Sequence, residues 1–223
     1  MGYIVCEIFL HAQPALNLAW LQWRFSFAGF AWLQWSPQYL IEGAWLLFAA
    51  FWLVASLRSK RATRTEASGE RMAHIAFMVI GFLLLRSDAP PSLNWLNHTF
   101  VSGGRWIDWL GAWTTLVGVL FAIWARITIG REWSAEIQIK EGHELIRSGP
   151  YAHIRHPIYT GLLIGVSGTA LAIGEYRALL GVLVICIGFA RKAKTEESFL
   201  AAQFGPAFEE HRRRTGFFLP RFS

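Results

Sequence analysis

Along the 223 residues, apolar positions gather into five blocks separated by short polar stretches: Tyr39–Leu57, Met72–Leu85, Ile107–Ile129, Ile158–Ile173 and Ala178–Ala190. Crossing the hydrocarbon layer as a helix takes about 20 apolar residues. The first and third blocks meet that length, while the other three need their flanks. Only "GEYR" separates the last two, which therefore read as a tight helical hairpin. The fifth block is expected to run on through "RKAKTEESFLAAQF" as a helix beyond the membrane. Residues 1–38 carry the pentapeptide "AWLQW" twice around "RFSFAGF". They lack a basic leader and cleavage site, and read as a Trp-rich segment lying in the interface or partly inserted. The expected organisation is this segment, two membrane helices with their loops over 39–106, and a functional core over 107–223.

Composition agrees with an all-α integral membrane protein of about five transmembrane helices. Hydrophobic residues make up 54% of the chain and charged residues only 16%, against about a quarter charged in soluble domains. Twelve tryptophans suit the membrane–water boundary. Cys6 and Cys186 are too few and too far apart for a disulfide framework or a Cys-based metal site. The net charge of +6 comes with no nucleic-acid-binding motif, so basic membrane loops account for it. Across five crossings, 17 Lys and Arg fall in the loops and tail of one face and three on the other. The positive-inside rule then puts the 130–157 and 191–223 stretches together on the cytoplasmic side, as in a bacterial inner membrane.

Those two stretches hold the candidate chemistry. In "LIRSGPYAHIRHPIYTG", Pro157 fits the first turn of a helix, where no intrahelical N–H is lost. The free N–H groups and positive dipole end of that helix suit a carboxylate, with Arg155 and His156 beside it and Tyr159 and Thr160 on the same turn. Gly161, Gly165 and Gly168 leave one helix side bare for a close neighbour. In the second stretch, Glu196 and Glu197 follow three cations, Arg191, Lys192 and Lys194. Carboxylates there can accept from ribose hydroxyls or an amine, although Lys192 and Glu196 are also spaced as a plain helix-surface pair. Glu209, Glu210 and Arg212–Arg214 read as an amphipathic surface segment. His153 and His156 could share a metal by spacing, but Pro157 interrupts regular helix there, and no metal is expected. No nucleophilic triad, phosphate loop or dinucleotide fingerprint occurs.

"GHELIRSGPYAHIRHPIYTG", followed about 35 residues later by "TEESFLAAQFGPAFEEHRRRTGFFLP", resembles the isoprenylcysteine carboxyl methyltransferase family and, more loosely, the phospholipid N-methyltransferases. The resemblance covers roughly 107–223. It implies S-adenosyl-L-methionine-dependent methyl transfer from a cytosolic cofactor pocket to a lipophilic acceptor: an isoprenylcysteine-type carboxylate, an isoprenoid acid or a lipid amine. It also implies that His143, Leu145, Gly149, Tyr151, His156, Pro157, Tyr159 and Glu196 line the cofactor. Arg155 and Glu197 would stand nearest the acceptor as the catalytic pair. Partners would be membrane lipids and the lipid-like acceptor, not nucleic acid. Two other readings are an NADPH-dependent reductase of the steroid 5α-reductase type, which shares Arg-His-Pro-x-Tyr, and a non-enzymatic lipid-binding protein. A reductase would continue with Phe-Gly-Glu after the Tyr, where this chain has "TGLL".

Overall fold

A computed structural model describes residues 36–56, 68–101, 104–130 and 145–222. The Trp-rich amino-terminal segment up to residue 35, the heart of the first basic loop and His143 lie outside the described residues. The rest is helical, in the order α1 (Pro37–Ser56), α2 (Ser68–Arg86), a 3-10 turn (Pro91–Asn97), α3 (Arg105–Ile129), a second 3-10 turn (Gly149–Ala152), α4 (Pro157–Ile173), α5 (Tyr176–Phe204) and α6 (Pro206–Arg214). Extended backbone pairs only as two isolated bridges among the described residues, Thr99 with Glu175 and Ile154 with Gly216.

Helices α1 to α5 coincide with the five apolar blocks, and their ends follow backbone chemistry. Pro157 opens α4, and Gly174 closes it in the left-handed region at φ 70°, where a side chain is penalised. Gly205, at φ 51°, ends α5 and turns the chain into Pro206 at the start of α6. As expected, α5 continues well past the apolar block, to Phe204. By length and apolar character, α1 and α3 can cross a membrane; α2 joins them if it is taken with the following turn across a 76° bend. The 17-residue α4 is a shorter apolar helix, and α5 carries charge over its second half.

Adjacency in sequence does not decide the packing. α4 lies chiefly along α3, α5 along α2, and α1 against α3, while the hairpin partners α4 and α5 touch each other less. Small residues explain the α3–α4 approach. A Cβ placed on Gly161 would stand 2.6 Å from the Ala122 nitrogen and 2.7 Å from the Gly118 carbonyl. One placed on Gly168 would stand 2.5 Å from the Thr115 nitrogen and 2.6 Å from the Gly111 carbonyl. The bare face read from the sequence therefore meets a matching bare face on α3. Polar side chains inside this contact are satisfied: Trp45 Nε1 donates to Thr169 Oγ1 at 3.1 Å, and Thr115 Oγ1 donates to the Gly111 carbonyl at 2.9 Å.

At the end of the bundle away from Glu196, the buried Arg177 caps α2. Its guanidinium donates to the carbonyls of Leu84, Leu85 and Ser87 at 3.0, 3.2 and 3.3 Å and to Glu175 at 2.5 Å. Those carbonyls lie at the helix end, where no intrahelical partner remains. This clamp ties the hairpin turn to α2.

Gly161→Ala is expected to lower the thermal stability of the detergent-solubilised protein by about 1–3 kcal/mol, the usual cost of overpacking. Gly43, where an added Cβ would have nothing within 4 Å, is the control. Gly43→Ala should be neutral or slightly stabilising. A thermal unfolding scan of both variants checks the contrast.

Candidate active site

The site forms where the amino-terminal end of α4 meets the polar half of α5, and its first cause is local. Pro157 disfavours helical backbone in the residue before it, and His156, at φ −121° and ψ 59°, lies off the helix with its side chain, like that of Arg155, bonded to α5. The carboxyl-terminal strap after α6 then pairs with this segment. Arg155 N donates to the Gly216 carbonyl at 2.9 Å, His156 N to Phe217 O at 3.3 Å, and Gly216 N to His153 O at 2.9 Å. Thr160 Oγ1 donates to Phe218 O at 2.8 Å. Segments distant along the chain are thereby held in one layer.

Within that layer, two successive residues of α4's entry meet two successive carboxylates of α5. Arg155 Nε donates to Glu197 Oε1 at 2.5 Å. His156 Nε2 lies 3.2 Å from the same oxygen, and its Nδ1 lies 3.4 Å from Glu196 Oε2. Tyr159 OH donates to Glu196 Oε1 at 2.5 Å. The second Arg155 nitrogen, Nη1, donates to the Arg212 carbonyl at 3.1 Å and to the Thr215 carbonyl. Arg155 thus joins α5, α6 and the strap.

Aromatic rings wall the cluster. Tyr159 stacks on Phe189 at 4.8 Å with the planes 13° apart, and His156 lies 5.8 Å from Tyr159 at 14°. Phe217 meets the His156 ring edge-on at 5.1 Å, and the Arg155 guanidinium sits 5.7 Å over the same Phe217 ring. His156 is almost fully buried. Burial opposes its charged form, but hydrogen bonds and attraction from Glu196 and Glu197 outweigh this and raise its pKa. Burial pushes the Glu197 carboxyl up, yet His156 and Arg155 more than offset it and hold the pKa below the ordinary value. Burial, with Glu196 nearby, raises the Tyr151 hydroxyl. The tail's His211, buried and facing Arg147 and Arg155, is lowered.

Of the residues singled out in the sequence, Arg155, His156, Tyr159, Glu196 and Glu197 converge directly, with Pro157 setting the turn. Tyr151 packs beside them against Ala125 and Ile158. Leu145 and Gly149 lie on the approach, where Gly149 has φ 57° and begins the turn leading to Tyr151. Among the described residues no group of three His, Cys, Asp or Glu side chains could hold a metal. Sequence reasoning missed Thr215, Phe217, Phe218 and Phe189. Nothing in their local pattern marks them: the strap has no regular period, and Phe189 reads as one more apolar residue of α5.

Stability should report the charges. The raised His156 pKa adds stability that is complete below its unfolded value of 6.5 and is lost as pH rises through the folded value. The depressed Glu197 pKa adds stability that is present above its unfolded 4.5 and is lost as pH falls through the folded value. The excess stability over His156→Asn should therefore be greatest between those two unfolded values, on the order of 3 kcal/mol for breaking a buried pair. It should shrink toward alkaline pH. Thermal scans of both proteins across pH measure it.

Comparisons with known proteins fall on this same region. Residues 110–202 match the model of the isoprenylcysteine carboxyl methyltransferase (ICMT) family. The cobalt-zinc-cadmium resistance protein CzcN of Cupriavidus metallidurans is 37% identical over 123 residues, 54% of this chain and 54% of its own. Protein-S-isoprenylcysteine O-methyltransferase of Schizosaccharomyces pombe is 33% identical over 93 residues, 40% of this chain and 39% of its own. The chain thus spans about half the length, or less, of these curated relatives. A solved structure of a eukaryotic intramembrane Ras methyltransferase ICMT has a TM-score of 0.56 at 20% identity, covering 86% of this chain and 71% of that one; at that identity it speaks for the fold. The segment that matches the family model, somewhat under half of the chain, contains Arg155, His156, Glu196 and Glu197, and the fold is shared with the solved ICMT structure.

Proposed function

We propose that the protein is an S-adenosyl-L-methionine-dependent methyltransferase that modifies a lipophilic acceptor at the cytoplasmic face of a membrane. The observation that carries this reading is the closure of the α4 entry on the Glu196–Glu197 pair. The residues fit the methyl donor chemically. The amino-terminal end of α4 offers backbone N–H groups for its carboxylate. Tyr159 and the carboxylate of Glu196, which keeps partial exposure, suit a cation. His143, Leu145, Gly149, Tyr151, His156 and Pro157 complete the proposed cofactor side, with Arg155 and Glu197 toward the acceptor. When bound, the donor supplies an activated sulfonium methyl.

The charge states restrict the acceptor. Glu196 and Glu197 favour the charged form of His156, and His156 and Arg155 favour the ionised form of Glu197. Neither is disposed to take a proton, which a neutral thiol or amine would require. A carboxylate arrives already ionised and needs only alignment and exclusion of water. The strap and its phenylalanines supply that enclosure. A carboxylate on a lipid-like body is therefore the acceptor class this geometry favours. The charge asymmetry of the loops supports five crossings, with α2, α4 and α5 completed by their flanks and the site inside.

Purified protein in detergent is expected to bind S-adenosyl-L-methionine by calorimetry. Glu196→Gln should weaken that binding about tenfold, as expected for losing a charge-assisted hydrogen bond. Arg155→Ala should abolish turnover. Tritiated donor supplied to membranes should label a lipid-extractable product that releases volatile label in mild base, as a methyl ester does. Base-stable label would overturn the carboxylate reading, and absence of donor binding by folded protein would overturn the methyltransferase reading.

A further inference from the structure

Near Phe189, the charged ends of α2 and α5 line a shallow surface cleft. Its floor is tight: a Cβ on Gly188 would stand 2.7 Å from Phe77 Cβ. Above the floor, α2 contributes His74 and Glu70, spaced i,i+4 on one face, and α5 contributes Arg191, Lys192 and Thr195. The methyl-transfer reading uses none of these groups.

Three observations ask for an occupant. His74 Nδ1 is buried with no hydrogen-bond partner, and a buried polar atom in that state needs explaining. Among the described residues, Arg191 and Glu70 form no ion pair, although opposite charges line the same small cleft; Arg191 only overlies the Phe77 ring, at 6.0 Å. Below Arg191 at helical spacing, Ile187, Leu183 and Leu180 form an exposed apolar stripe on α5. The stripe leads from the lipid-facing surface directly to the cation.

We propose that this cleft holds the headgroup of an aminophospholipid, whose phosphate faces α5 and whose primary ammonium faces α2. Arg191 and Lys192 pair with phosphate oxygens. The Glu70 carboxylate and the His74 Nδ1 lone pair accept N–H bonds from the ammonium. An acyl chain follows the Leu180–Ile187 stripe. A simple anion would meet Glu70 unfavourably, and a choline headgroup has no N–H to offer His74. The lipid is resident rather than the methyl acceptor: the Phe189 ring, stacked on Tyr159 and 6.0 Å from His74, lies between those two side chains. The proposal does not depend on the catalytic reading.

The test uses the full chain, delipidated in detergent, with thermal unfolding followed on adding phosphatidylethanolamine, phosphatidylcholine or phosphatidylglycerol. Soluble glycerophosphoethanolamine and inorganic phosphate serve as chain-free arms. Phosphatidylethanolamine should raise the melting temperature most, at a concentration about tenfold below that of phosphatidylcholine. Glu70→Gln should abolish that preference without changing the melting temperature of the lipid-free protein. Arg191→Gln should remove the response to all three lipids. If Arg191→Gln does not fold, native mass spectrometry of the wild type and Glu70→Gln, counting retained phosphatidylethanolamine, decides the same question. Equal shifts from phosphatidylethanolamine and phosphatidylcholine, a preference that survives Glu70→Gln, or a full response to inorganic phosphate alone would overturn the proposal.

Discussion

Two carboxylates on adjacent residues of α5, Glu196 and Glu197, face a guanidinium and an imidazole on adjacent residues before α4, and each side requires the other. Removing charge from water is expensive, and a buried ion pair often stabilises no better than well-packed apolar side chains would. Such a cluster is therefore poor as a staple. Its effect is positional. Once Glu197 is bonded to both Arg155 and His156, the second half of α5 cannot rotate relative to the α4 entry without stranding a charge. Because Arg155 also bonds the carbonyls of Arg212 and Thr215, the same constraint reaches α6 and the strap. The enclosure over His156 is thus a consequence of satisfying one guanidinium.

That cluster could not form without the helix contact beside it. The glycines of α3 and α4 let the two backbones approach until side chains on the shared face would collide. Inside a membrane this is a favoured way to associate, since apolar side chains gain little by leaving lipid for protein. Close contact fixes α4 against α3, and with it the level at which Pro157 and His156 emerge. Arg177 performs the complementary task at the far end by holding the hairpin turn on the last carbonyls of α2. α5 is thereby anchored at both ends, by Arg177 and by Glu196–Glu197.

Much of this was legible along the chain, for identifiable reasons. Apolar runs bounded by Pro and Gly fix helix extents, so the five blocks and the continuation of α5 follow from local rules. The convergence of Arg155–His156 on Glu196–Glu197 was legible only through the ordered motifs of the family resemblance; spacing alone equally allows a Lys192–Glu196 surface pair. The strap was not legible, because Thr215–Phe218 takes irregular extended backbone whose partners are the carbonyl and amide groups of residues 153–156. Main-chain pairing of that kind leaves no trace in side-chain pattern. Nor does the sequence order of α4 and α5 reveal that α3 and α2, rather than each other, are their main neighbours. The glycine spacing on α4 signals that a close partner exists without naming it.

The segment matching the family model begins at residue 110, so α1 and α2 lie outside it, yet both complete walls of the core. Trp45 of α1 bonds Thr169 on α4 at 3.1 Å and lies against Gly165, while His74 of α2 stands 6.0 Å from Phe189. The polar groups at the α4 entry have few alternatives, since each is fixed by a specific partner. The apolar walls are far less constrained, because lipid-facing positions accept any hydrophobe of suitable volume. Proteins that share the charged cluster can therefore differ in the helices that flank it. Sequence variation is therefore expected first in α1 and α2, where the bilayer and the protein meet, and last at Arg155, His156, Glu196 and Glu197.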